Sequence, residues 1–116
     1  MKAFTDIEQS KKLAEILPIE SADMKYPYFG DGQYGETAQV GEPIEFSGGK
    51  DIPCWSLSAL IELMGECRME RTPLDQSGEF THSFVDDYFN IRTYEEYDIV
   101  DAAVEMIIKL KEKDLL

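Results

Sequence analysis

The chain has 116 residues, with 24 acidic side chains against 11 basic ones, so its formal net charge is −13. A surface this negative is repelled by phosphate backbones and by anionic lipid headgroups, which argues against direct nucleic-acid binding and against a membrane-surface role. Hydrophobic residues make up 43% and aromatics 11%, a composition that folds. The length predicts a single domain over 1–116, with core enough to need neither disulfides nor a metal.

The N-terminal residues MKAFTDIEQSKK lack the apolar stretch of a secretion signal, and no apolar run reaches membrane-spanning length. That predicts a cytoplasmic chain whose two cysteines, Cys54 and Cys67, stay reduced. Thr5 and Glu8 have capping-box spacing, Ile7, Leu13, Ala14, Ile16 and Leu17 give one apolar side, and Pro18 stops the pattern. A helix over 5–17 is expected.

The stretch from Tyr26 to Pro53 holds six of the eight glycines. A structureless loop of that length is unusual, so at least one short strand is expected, near 42–47. KYPYFGDGQYGE reads as exposed and irregular. Its rings Tyr26, Tyr28, Phe29 and Tyr34 lie beside glycines. Exposed aromatics on a pliable loop suit gripping a protein partner, although such rings also serve to pin a loop to a core. DGQYGE has the look of a calcium loop but lacks the alternating Asp/Asn ligands and a final bidentate glutamate at the required spacing.

IPCWSLSALIELMG offers Ser56 as N-cap, Trp55 and Leu60 as a hydrophobic staple, and Leu57, Leu60, Ile61 and Met64 as a buried stripe. Gly65 suits the position after the helix. A helix over 56–64 follows. Residues 66–79 are polar, carry Pro73 and Gly78, and read as mostly loop. FTHSFVDDYFNIRTY has β character. It reads either as a hairpin turning at Asp86-Asp87 or as one long strand with Phe89, Ile91 and Thr93 on a face, and the hairpin is favoured. The last helix, over 98–112, has Asp98 as cap, Asp101 in its first turn, lysines near its end, and Val100, Ala103, Val104, Ile107 and Leu110 inward. Thr93 and Glu96 offer a second capping box that would start it earlier. Three helices packed on a small antiparallel sheet make an α+β fold.

The blocks FTDIEQSKKLAEILPIESADM, IPCWSLSALIELM and VDAAVEMIIKLKEKDLL together resemble a group of small proteins from gut-bacterial genomes and their phages. The Gly-rich middle and the segment after Gly65 match that group less well. The resemblance implies a setting, a prophage or other mobile element, and implies no mechanism and no site residue.

The chemistry-bearing residues weigh as follows. Asp75, Glu79, Asp86, Asp87, Glu95, Glu96, Asp98 and Asp101 face one base, Arg92, between positions 75 and 101. Such a cluster serves solubility and helix capping, or mimics nucleic-acid phosphate in a partner's basic groove. Cys54 and His82 form a thiol–imidazole combination, but Cys54 sits in an apolar helix entry and reads as a small buried thiol. Cys54, Cys67 and His82 lack a fourth ligand and CxxC spacing for zinc. No catalytic residue, cofactor or metal is therefore expected. The expected function is an acidic cytoplasmic protein-interaction module with an unknown protein partner, accessory to a phage or mobile element. Its contact residues would be Tyr26, Tyr28, Phe29, Tyr34, Asp86 and Asp87. The alternative is an acidic nucleic-acid mimic inhibiting a host nucleic-acid-binding protein. An enzyme using a carboxylate pair such as Asp86 and Asp87 comes third.

Overall fold

The computed structural model describes residues 2–46 and 48–116. The fold is α+β, with three α-helices among the described residues and antiparallel strand pairing throughout. The chain forms two compact units. Residues 4–59 make one, and residues 60–116 with the chain before Phe4 make the other.

In the first unit, helix α1 spans Ile7–Ala14 and packs on strand β7, Ile52–Cys54. Its cap is not Thr5. The Thr5 side chain is fully buried, shares a 2.7 Å hydrogen bond with Ser10 Oγ, and accepts from Trp55 N at 3.2 Å. Because that hydroxyl belongs to the core, Asp6 closes the capping box instead. Gln9 N donates to Asp6 Oδ1 at 2.8 Å, and Asp6 N donates to Gln9 Oε1 at 3.1 Å. The helix ends at Ala14, and bonds from Ile16 N and Leu17 N to Leu13 O wind the chain toward Pro18.

The glycine-rich middle is far more ordered than its composition suggests. Strand β1, Met24–Tyr26, lies between β4, Gln39–Val40, and β7 in an antiparallel sheet. Strands β2, Tyr28–Gly30, and β3, Gln33–Tyr34, form a hairpin, and β5, Glu45–Phe46, pairs with β6, Gly49–Lys50. The strand expected at 42–47 is thus present as β5, although Ser47 itself lies outside the described residues. Met24, Tyr26, Ala38, Ile52 and Cys54 form the core here, with Phe4, Ile7 and Tyr34 packed against them.

One buried carboxylate joins three of these segments. Asp51 is 2% exposed and accepts from Tyr28 N and from Ile44 N, each at 2.9 Å. Lys25 Nζ on β1 stands 3.7 Å away. Gly49 is required by contact rather than by backbone angle, since a Cβ there would lie 2.5 Å from the Tyr28 ring.

Helix α2, Leu57–Met64, carries the chain from one unit to the next. Ser56 caps it as expected, accepting from Ala59 N at 3.2 Å, and Gly65 follows with φ +64°. Leu60 and Met64 are buried, but Ile61 is 45% exposed, so the apolar stripe is narrower than its spacing implied.

In the second unit, residues 66–79 are not mainly loop. Strand β8, Arg68–Leu74, pairs over its full length with β9, Glu79–Asp86. It hides from composition because it is an edge strand: the sheet order is β10-β9-β8, most of its residues are exposed, and an edge tolerates both Pro73 and charge. Asp75 at φ +33° and Gly78 at φ +83° shape the β8–β9 connection. Strand β9 runs on through a hairpin to β10, Ile91–Arg92, with Ile91 opposite Asp86, so the connection is residues 87–90. Helix α3, Ile99–Glu112, packs on β9 and β10 through a face that includes Val100, Ala103, Met106, Ile107 and Leu110. Asp98 caps it, accepting from Val100 N at 2.9 Å. The earlier start at Thr93 does not occur, because Thr93 Oγ1 instead accepts from Phe84 N at 2.9 Å.

Candidate functional site

The aromatic residues singled out in the middle segment separate into three environments. Tyr26 is 3% exposed, and its hydroxyl donates to Thr5 O at 2.8 Å. Burial is the main cause that raises its phenol to about 12. Tyr26 is therefore a core anchor. Tyr28 and Tyr34 form a tilted ring pair with centroids 5.3 Å apart, and Tyr28 Oη donates to Gly48 O at 3.0 Å. Phe29 is 70% exposed near the tip of the β2–β3 hairpin. The loop is thus pinned by two of its rings and displays a third.

Asp86 and Asp87 shape the β9–β10 turn. Asp86 Oδ1 accepts from Tyr88 N at 3.0 Å and Phe89 N at 3.2 Å, an Asx arrangement that folds the turn on itself. Asp87 receives Arg68 through Nε at 2.7 Å and Nη2 at 3.0 Å. Arg68 also reaches Glu70, which in turn receives Arg92. Hydrogen bonds from Arg68 hold the Asp87 carboxyl below its ordinary range, and bonds from Arg68 and Arg92 do the same for Glu70. Asn90, at φ +55°, completes the turn in a backbone region that asparagine tolerates better than most residues.

The turn fixed in this way presents two large rings to solvent. Tyr88 is 87% exposed and Phe89 51%, and the two meet edge to face at 4.7 Å. Tyr94 and Tyr97 follow, 76% and 70% exposed. Four exposed rings thus fall within ten residues. From sequence alone Phe89 reads only as a strand residue, and Tyr88, Tyr94 and Tyr97 do not stand out. For Tyr88 and Phe89 the available signal is their position between Asp86-Asp87 and Asn90, which are turn formers; Tyr94 and Tyr97 carry no such signal.

A second feature of the same unit is a groove of about 450 Å³ lined by Arg71, Gly78, Glu79, Phe80, His82, Tyr97 and Asp98. Arg71 stacks over the Phe80 ring at 4.1 Å. His82 is 6% exposed and its Nδ1 lies 3.1 Å from Tyr97 O. A carbonyl only accepts, so Nδ1 carries the proton of the neutral ring and Nε2 keeps a lone pair.

The thiol–imidazole idea finds no support in the local chemistry. Cys54 is buried and exchanges weak hydrogen bonds with Thr5, and burial pushes its thiol up, away from thiolate. His82 is held by Tyr97. A carboxylate whose acidity is weakened is Glu96. Burial raises it first, and the neighbouring Glu105 and Asp101 add to the effect. Glu105 also accepts from Tyr94 N at 2.8 Å, so it helps fix the start of the α3 approach.

Most acids of the 75–101 cluster have structural tasks. Asp75 accepts from Ser77 N at 2.8 Å, Asp86 and Asp87 build the turn, Asp98 caps α3 and accepts from Lys2 N at 2.7 Å, and Asp101 pairs with Lys2 Nζ. No helix among the described residues is long and apolar enough to cross a membrane. No protein-family model, curated protein or solved structure matches this chain.

Proposed function

We propose that this chain is a small acidic protein-interaction module that docks a partner protein through the β9–β10 turn and the tyrosines after it. The observation that carries the reading is the pair Tyr88 and Phe89, exposed yet mounted on a turn that Asp86 and the Arg68–Asp87 bridge hold in shape. Large aromatics that lose little freedom on docking are the commonest source of binding energy at interfaces. Phe29 offers a further exposed ring in the other unit. The resemblance noted above supports a role as an accessory of a phage or mobile element.

The rival reading is a phosphate mimic acting through the acids of 75–101. Mimicry needs displayed, uncommitted charge, and five of the eight acids are engaged within the molecule, namely Asp75, Asp86, Asp87, Asp98 and Asp101. That favours the aromatic surface. The test is capture of partners from host lysate at low and high salt, with three baits: the native chain, Tyr88→Ala/Phe89→Ala, and a variant neutralising Glu79, Glu95 and Glu96. A partner lost with the aromatic variant but retained in high salt supports docking through the turn. A partner lost in high salt and with the charge variant, yet kept by the aromatic variant, overturns it in favour of mimicry.

A further inference from the structure

We propose that the groove between Arg71, Glu79, Phe80, His82 and Tyr97 binds a free α-amino acid with an aromatic side chain. The first ground is Arg71. The chain has three arginines, and two of them, Arg68 and Arg92, are paired with carboxylates. Arg71 pairs with none among the described residues, although the chain carries 24 acids. Its guanidinium carbon instead sits over the Phe80 ring, 4.1 Å from the centroid. A planar fork held on a ring and left without a carboxylate is a ready partner for one.

The second ground is what stands around that fork. His82 lies directly opposite Arg71 across the β8–β9 ladder and lines the same groove. With Nδ1 committed to Tyr97 O, its Nε2 accepts a proton donor. Glu79 adds a carboxylate, and Asp98 adds negative charge although its oxygens already serve Lys2 N and Val100 N. A simple carboxylate would satisfy Arg71 and leave these acceptors facing it. An α-ammonium group beside the carboxylate satisfies both. The third ground is long-range. A net charge of −13 opposes any anion, and a zwitterion carries no net charge to oppose. The exposed Tyr97 ring and the edge of Phe80 then give an aromatic side chain a surface to lie on. The groove's volume, about 450 Å³, is in the range of small-molecule clefts.

The assignment is tested by amide and histidine-ring NMR of the full chain titrated with L-phenylalanine, 3-phenylpropionate and phenethylamine. The last two each lack one charge of the first. L-Phenylalanine is expected to shift the signals of Arg71, Phe80, His82 and Tyr97 saturably. Each analogue is expected to bind about tenfold more weakly or worse, because each leaves a charged partner unmet. Arg71→Gln is expected to reduce L-phenylalanine to the level of phenethylamine, and Glu79→Gln to weaken it toward 3-phenylpropionate. Both positions are exposed, and an unchanged amide fingerprint elsewhere shows that each variant folds. The analogue series on the native chain decides the matter even without the variants. Absence of saturable shifts overturns the proposal. So does equal binding of 3-phenylpropionate and L-phenylalanine, or an Arg71→Gln variant that binds as the native chain does.

Discussion

Removing the Asp51 carboxylate should be among the most damaging single changes in the first unit. Asp51→Ala strands two backbone donors, Tyr28 N and Ile44 N, each now bonded at 2.9 Å in partly buried surroundings. A buried donor left without an acceptor costs about 1–3 kcal/mol. It also leaves Lys25, whose Nζ is 3.7 Å from Asp51 and whose side chain is only 17% exposed, without its counter-charge. Partial access of water to the stranded groups trims the sum, so about 3 kcal/mol is expected. Asp51→Asn keeps one oxygen and turns an amide donor toward the other N–H, which should cost roughly half as much. The assay is urea unfolding followed by Trp55, the only tryptophan, fully buried in this unit. With a slope of about 2 kcal/mol per molar, Asp51→Ala should lower the midpoint by about 1.5 M. A loss below about 0.5 kcal/mol, or an Asn variant as damaged as the Ala variant, would refute the argument that the two backbone bonds carry the effect.

Three further outcomes are expected. Gly49→Ala should cost about 1–3 kcal/mol by driving a methyl into the Tyr28 ring, whereas Gly48→Ala, which meets nothing within 4 Å, should be near neutral; the difference between their melting temperatures is the test. Glu96→Gln should stabilise the fold at neutral pH. Because the Glu96 pKa is raised by folding, its contribution is fully present below its unfolded pKa of about 4.3 and is lost as pH rises through the folded value, so the gain from Gln should appear on going from pH 4 to pH 7 and vanish at the acid end. Asp86→Ala should remove both acceptor bonds of the β9–β10 turn, lower stability by about 1 kcal/mol, and speed amide exchange at Tyr88 and Phe89.

The helices were legible because each carries its signals locally. Ser56 and Asp98 cap where they were expected to, and Gly65 ends α2 in the left-handed region. Thr5 misled because its value as a cap depends on whether its hydroxyl is free, and burial against Ser10 and Trp55 is a long-range fact. Strand β8 was hidden for the opposite reason. An edge strand needs no apolar face, so Arg68, Glu70, Arg71 and Pro73 look like loop until β9 supplies the pairing. The aromatic residues show the same limit at the level of the site. Composition put Tyr26, Tyr28, Phe29 and Tyr34 together, but only the register of β1 with β7 buries Tyr26, and only the turn at 87–90 brings out Tyr88 and Phe89.

The charge that dominates the sequence takes on a different meaning once each aspartate is placed. Of ten aspartates, Asp6, Asp23, Asp51, Asp75, Asp86 and Asp98 each accept a hydrogen bond from a backbone N–H. A short carboxylate is the side chain best suited to that task at caps and turns, and a chain with many short strands has many such ends. Most of the aspartates, though only a quarter of the 24 acids, are therefore a consequence of how the backbone is closed off, with self-repulsion as the cost. Two consequences separate this account from one in which the acids exist for a partner. Added salt should raise the melting temperature, since screening relieves repulsion among exposed charges while the short bonds to backbone persist. Neutralising exposed glutamates such as Glu15, Glu36 and Glu42 should leave stability unchanged or improved, whereas Asp23→Asn, which breaks up the carboxylate that accepts from Ser56 N at 2.9 Å and from Ser56 Oγ, should lower it. Thermal melts across a salt series read both. A melting temperature that falls with salt, or glutamate variants that melt below Asp23→Asn, would mean that the charge stabilises the fold through long-range pairing rather than through these local bonds.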